Sequence, residues 1–177
     1  LRVAQMDDIG SYSNPIAIGA LGALGPVAKE ALPELEKLLK AAQPWNRDFF
    51  YSAISKIGGE DAFRILVNGL LNKEVDTTTK TFIILYLNDV GVKAEQIINI
   101  LKRMVKEDSR EIRIAAYVAL SSDGFFKYPG IDQIVFGGLD DPDSLVKYNV
   151  INFLGSKGKK AAFALPKLRQ IVADPKT

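Results

Sequence analysis

The chain has 177 residues, 47% of them hydrophobic and 25% charged, with a formal net charge of +2. That is the composition of a folded chain with a sizeable core, so long disorder is not the default reading, and no apolar run approaches the roughly 20 residues needed to span a bilayer. Cysteine and histidine are both absent, which removes disulfides, thiolate nucleophiles, thiolate or imidazole metal sites and the usual general base of neutral pH.

The chain opens on Leu1 with neither methionine nor a signal-like segment, as expected of a processed chain or a piece of a longer one. Residues 1–13 read as a lead-in or as the end of a preceding element. The predicted elements then follow as five two-helix units, at about 14–43, 44–74, 75–107, 108–140 and 141–174. Glycines frame them: Gly25, Gly58, Gly91, Gly124 and Gly158 are spaced by 33, 33, 33 and 34 residues. Upstream of each glycine, one apolar column reads Leu21, Ile54, Leu87, Leu120, Leu154, and four positions earlier another reads Ala17, Phe50, Ile83, Ala116, Val150. Residues four apart share a helix face, so these columns predict a first helix in each unit. Downstream, Leu32, Ile65, Ile98, Ile131 and Leu165 mark a second helix. Glycine suits the turn between them because it takes the left-handed conformation that ends a helix at little steric cost. Pro33 and Pro166 fit the first turn of the second helix, where a missing N–H removes no intrahelical bond.

A single helix pair would leave apolar surface on both sides, each exposed Leu or Ile forgoing roughly 1.5–3 kcal/mol of burial. Stacking the pairs recovers it. The expected fold is therefore all-α, a right-handed α-α superhelix (solenoid) of about five repeats with period 33. A coiled coil is excluded by breaks every 15 or so residues, and a compact bundle has no reason for a constant period.

The pattern is fullest in "DSREIRIAAYVALSSDG" of the fourth unit and "DDPDSLVKYNVINFLGSKG" of the fifth. An acidic residue opens the first helix, an aliphatic and a basic residue follow, and small or apolar residues lead to the glycine. These units resemble HEAT repeats, in particular the short HEAT-like type also found in phycobilisome lyase proteins, over roughly residues 12 to 174. The resemblance implies that the basic column Arg47, Lys80, Arg113, Lys147 is an inter-repeat ladder of hydrogen bonds and ion pairs, with Asn14 departing from it in the first unit. Pairs such as Asp76 with Lys80 and Asp143 with Lys147 are expected to help at i,i+4 spacing. It also implies that second helices line the concave side, presenting Glu34, Lys37, Arg64, Lys102 and Lys167. HEAT-like segments of this bacterial type are found attached to enzymes, a sulfatase or cytochrome-bearing dehydrogenase among the compatible hosts. The function implied is a non-catalytic protein-protein interaction scaffold or an accessory domain of a larger protein, with no cofactor and no metal. Two alternatives stay open, a phycobilin-lyase-like subunit and a HEAT-like DNA-binding protein or alkylpurine DNA glycosylase.

The features that could carry function are these. In the first unit, Ile16 to Leu24 is apolar or small at every position, so a covering domain, the lead-in or a dimer partner is expected over it. Near the second unit, "PWNRDFFY" places Phe50 in a core column and Phe49 beside it, while Trp45 is freer and is a secondary interface candidate. The fourth unit holds "GFFKYPGIDQIVFGG", where Pro129 discourages helix at Tyr128. Phe125, Phe126, Lys127 and Tyr128 form the leading candidate for binding a protein partner, since aromatics with a nearby cation are favoured at interface hot spots. The competing role is structural: Gly137 stands in the column of Leu38, Leu71, Met104 and Ile171, where a Leu-sized void would cost on the order of 2–5 kcal/mol, so either Phe125 or Phe126 folds back into that space or Gly137 and Gly138 simply end a short helix. Asp140, Asp141 and Asp143 lack the calcium-loop spacing and read instead as an acidic cluster at a helix N-terminus. The last stretch carries Lys147, Lys157, Lys159, Lys160, Lys167, Arg169 and Lys176 against Asp174 alone. A solvated end unit explains that charge, and the scattered aromatics argue against nucleic acid as the partner. The compartment is left open between cytoplasm and periplasm.

Overall fold

The computed structural model describes residues 10–173, with side chains from Pro15 onward. Among these residues the fold is all-α. No described helix is long and apolar enough to cross a membrane. The chain divides into two compact units, Leu1–Ile97 and Ile98–Thr177.

In the first, α1 (Gly10–Ala23), α2 (Leu32–Ala41), α3 (Arg47–Ile57), α4 (Gly59–Leu71) and α5 (Thr77–Tyr86) follow in order, and the division falls within α6 (Ala94–Met104). Helix α3 packs between α1 and α5, while α2 and α4 touch each other on the other side of α3. The apolar columns drive this: Phe50, Ile54, Ile83 and Leu87 from the first helices and Leu32, Leu35 and Ile65 from the second are all buried. Helices α1 and α3 come into backbone contact. A Cβ added to buried Gly22 would lie 2.8 Å from the Cα of Ala53, so the small residues of α1 are there to let two helices meet. Ser55 joins the next pair, α3 and α5, its Oγ donating to the Tyr86 carbonyl at 2.7 Å.

In the second unit, α7 (Arg110–Leu120), α8 (Asp123–Phe126), α9 (Ile131–Gly137), α10 (Ser144–Lys157) and α11 (Leu165–Ala173) follow. Helix α10 lies along α7, and α8 and α9 pack on α7 and on each other. Ile112, Ala116, Leu120, Ile131, Val135, Val146, Val150 and Leu154 make the core. Gly138 is buried against the Tyr117 ring and Val150, with no room for a side chain. Gly69 meets the Tyr51 ring in the same way in the first unit, a tyrosine-on-glycine contact that the apolar columns alone do not reveal.

The turns largely follow the glycine frame. Gly25, Gly58, Gly91 and Gly158 have φ of 60°, 75°, 74° and 53°. Pro33 and Pro166 fall in the first turns of α2 and α11, each after a seven-residue 3₁₀ segment, Gly25–Ala31 and Gly158–Ala164. Asp76, Ser109 and Asp143, one position of the period, cap α5, α7 and α10 by accepting from backbone N–H groups.

Four expectations are corrected. Gly124 lies inside α8 and not at a left-handed turn; that conformation passes to Gly130, φ 82°, which caps α9. The reason is local: Ser122 and Asp123 start a new helical turn at once, so the chain turns only after Pro129. Gly137 is exposed with nothing within 4 Å of an added Cβ, so the void to be filled by a phenylalanine is absent, and the other reading applies: the short α9 ends at that residue. The described part of the first helix, Gly10–Ala23, runs through Pro15, so 10–13 are helical and not a lead-in separate from it; residues 1–9 lie outside the described residues. Finally, no ion pair joins Asp76 to Lys80 or Asp143 to Lys147 among the described residues. Their carboxylates are spent on capping, and Asp143 also approaches Arg110 at 3.6 Å.

Candidate protein-binding loop

Residues 122–131 connect α7 to α9. Ser122 starts α8, its carbonyl accepting from Phe125 N and Phe126 N at 3.1 and 2.8 Å, and Phe125 O accepts from Tyr128 N at 2.9 Å. This winding sends successive aromatics in different directions. Phe125 is 6% exposed and belongs to the core, so the sequence-based expectation that it is an exposed anchor is corrected; it packs, but not into a space at Gly137. Phe126 and Tyr128 stay half-buried and Lys127 is exposed.

Two cations sit against the remaining rings. The Lys157 Nζ lies 5.5 Å from the Phe126 centroid and the Lys127 Nζ lies 5.9 Å from that of Tyr128, within the range of cation–π attraction. Lys157 also donates to Asp123 Oδ1 at 2.9 Å. That hydrogen bond, then the charges of Lys157 and Lys160, hold the Asp123 carboxyl below its usual range. Asp123, Phe126, Lys127, Tyr128, Asp132 and Lys160 line an open cleft of about 730 Å³. Two aromatic rings and charges of both signs thus line the same cleft. Sequence reasoning counted Lys157 and Lys160 only as part of a basic end. The available signal was that Asp123 and Lys157 stand in the column occupied earlier by Leu24, Ile57 and Val90.

The other candidates are placed separately. Trp45 is 73% exposed in the first unit, on the 3₁₀ turn Pro44–Asn46 before α3. Phe50 is buried and Phe49 is nearly half exposed. Of the basic column, Arg113 makes the fullest set of bonds. It grips Asp141 through two hydrogen bonds of 2.8 Å and donates to the carbonyls of Glu107 and Asp108 at 3.0 and 2.8 Å. Arg47 repeats the outline more loosely, donating to Ala42 O and Glu74 O, both at 3.4 Å. Lys80 and Lys147 make no such bonds among the described residues. Burial pushes the Asp141 carboxyl up, but the Arg113 hydrogen bonds, the Asp143 N–H and the charges of Arg113 and Lys147 outweigh it, leaving it below its ordinary value. The three aspartates thus turn to separate tasks: Asp140 meets Lys167 at 2.6 Å, Asp141 holds Arg113, and Asp143 caps α10.

No protein-family model and no curated protein matches the chain.

Proposed function

We propose that the chain is a non-catalytic protein-interaction scaffold, or an accessory domain of a larger protein, built of five HEAT-like two-helix repeats stacked as a right-handed α-α superhelix. What supports the repeat is the recurrence of a first helix, a glycine at positive φ and a second helix along the chain, with α1, α3 and α5 side by side. What carries the interaction reading is the loop at Phe126, Lys127 and Tyr128. It leaves two aromatic rings half-buried beside a cleft, with the Lys157 Nζ 5.5 Å from the Phe126 ring and bonded to Asp123. Partly exposed aromatic rings with a nearby cation are favoured at interface hot spots. Trp45 is the second contact candidate.

The test is affinity capture with the wild-type chain beside a Phe126→Ser, Tyr128→Ser variant whose helix content is checked by circular dichroism. Phe125 is left alone because it is buried. A protein held stoichiometrically by wild type and lost by the folded variant is the expected result. Equal capture by both overturns the loop as the contact. Salt-sensitive duplex DNA binding would favour the glycosylase-like alternative, and a shifted bilin spectrum would favour the lyase-like one.

A further inference from the structure

The seam between neighbouring first helices follows one rule. A residue near the C-terminal end of one helix meets a residue two positions further back in the next unit: Gly22 lies against Ala53, and Ser55 donates to the Tyr86 carbonyl. The glycine turn then rests on the end of the next first helix, with Gly59 N donating to Val90 O at 2.8 Å. In this way α1 covers α3, and α3 covers α5.

Two helix sides are left open. On α1, Ala20 occupies the position of Ala53 and Tyr86, and it is exposed. Leu24 occupies the position of Ile57 and Val90; it is 58% exposed where they are 1% and 0% exposed. Ile16 is also exposed. On α10, Gly155 occupies the position of Gly22 and Ser55, and it is exposed with nothing within 4 Å of an added Cβ. Tyr148 beside it, in the position of Asp48, is exposed as well. Gly158, in the turn position of Gly25 and Gly58, has nothing within 4 Å of its added Cβ.

The two open sides match each other. Gly155 against Ala20 reproduces residue for residue the Gly22 to Ala53 pair, where two helices meet at backbone distance. We propose that the open side of α10 in one copy of this chain docks on the open side of α1 in a second copy, a head-to-tail contact in which each copy uses a different surface. Gly155 seats on Ala20, Tyr148 covers it, and the Gly158 turn closes over Leu24. The inference rests on the repeat positions of the proposed architecture and not on the loop at Phe126.

Sedimentation equilibrium over a range of concentrations tests it, with Ala20→Arg and Gly155→Arg chains beside wild type. Both positions are exposed, so neither substitution disturbs the core, and circular dichroism checks this. Wild type should self-associate with concentration, and each variant alone should lose that association. An equimolar mixture of the two variants should form a one-to-one complex and stop there, because one intact α10 side meets one intact α1 side. A Phe126→Ser, Tyr128→Ser chain should associate as wild type does. Wild type that stays monomeric, single variants that still associate, a mixture that fails to pair, or loss of association in the loop variant would each overturn the proposal. A monomeric wild type would leave the loop reading untouched, since that is read from partner capture.

Discussion

Replacing Arg113 with methionine removes one half of a closely held ion pair. Its side chain is 11% exposed and that of Asp141 is 5% exposed, and two bonds of 2.8 Å join them. Once Arg113 is gone, Asp141 keeps one donor, the Asp143 N–H at 2.9 Å. Removing one partner of a buried pair costs about 3–5 kcal/mol, because the remaining charge is left without compensation. Arg113→Met should therefore lower stability by about 3 kcal/mol, or roughly 6–12 °C in Tm for a chain of this size. The double variant Arg113→Met, Asp141→Leu should come back to within about 1 kcal/mol of wild type, since an apolar pair of similar volume replaces an ionic one at little net cost. The sign of the pH effect follows from the depressed Asp141 carboxyl. Its contribution is fully present above the ordinary carboxylate pKa of about 3.9 and is lost as the pH falls through the lower folded value. The gap between wild type and Arg113→Met should accordingly narrow in acid. Urea denaturation of the three chains at neutral and acidic pH is the assay. A single-variant loss under about 1 kcal/mol, or a double variant that is worse than the single, would refute the reasoning.

Three further predictions concern the seams. Gly22→Ala should destabilise by about 1–3 kcal/mol, because the new Cβ would meet backbone and not a movable side chain; Gly19→Ala, where the space is open, should not, and thermal melts of the two chains compare them. Ser121 is buried with no hydrogen-bond partner for its Oγ, so Ser121→Ala should be neutral or stabilising, whereas Ser55→Ala, which loses the bond to Tyr86, should cost about 0.5–1.5 kcal/mol in chemical denaturation. Burial and then the hydrogen bond to Asp48 push the Tyr86 hydroxyl up to about 12. Its stabilising contribution is full below the unfolded phenol value and is lost as the pH rises through about 12. Burial also pushes Tyr51 and Tyr117 up, so ultraviolet titration should show several late tyrosines, of which one moves earlier in Asp48→Asn.

The helix frame was legible because it depends on features that recur. Apolar residues four apart fix which face is buried, and a glycine at the end of the first helix marks where the chain must turn; Phe50, Ile54, Ile83, Leu87, Gly58 and Gly91 all do as that pattern requires. The glycine column fails at Gly124 because the chain re-enters a helical turn at Ser122, whose carbonyl accepts from Phe125 N and Phe126 N, a local winding that the column does not register. The same local winding put Phe125 inside and left Phe126 and Tyr128 half open, and four consecutive aromatic or basic residues give no sign of that division. The pairing of Arg113 with Asp141 was only half visible. The basic column marked the arginine, while Asp141 looked like one of three equivalent acids until the fold turned it inward. The Gly22 to Ala53 approach was masked for a related reason: small residues in α1 read as an uncovered surface, although one of them is a contact and others form the open side.

The central claim, that the loop at 126–128 holds a protein partner, is tested most directly by placing a photo-crosslinking amino acid at exposed Lys127 and irradiating in native lysate, with the same residue at exposed Val172 as the control position. The account predicts one stoichiometric adduct at 127 that is absent at 172 and that disappears when Phe126→Ser and Tyr128→Ser are added. An identical adduct pattern at both positions, or an adduct at 127 that survives those substitutions, would contradict it.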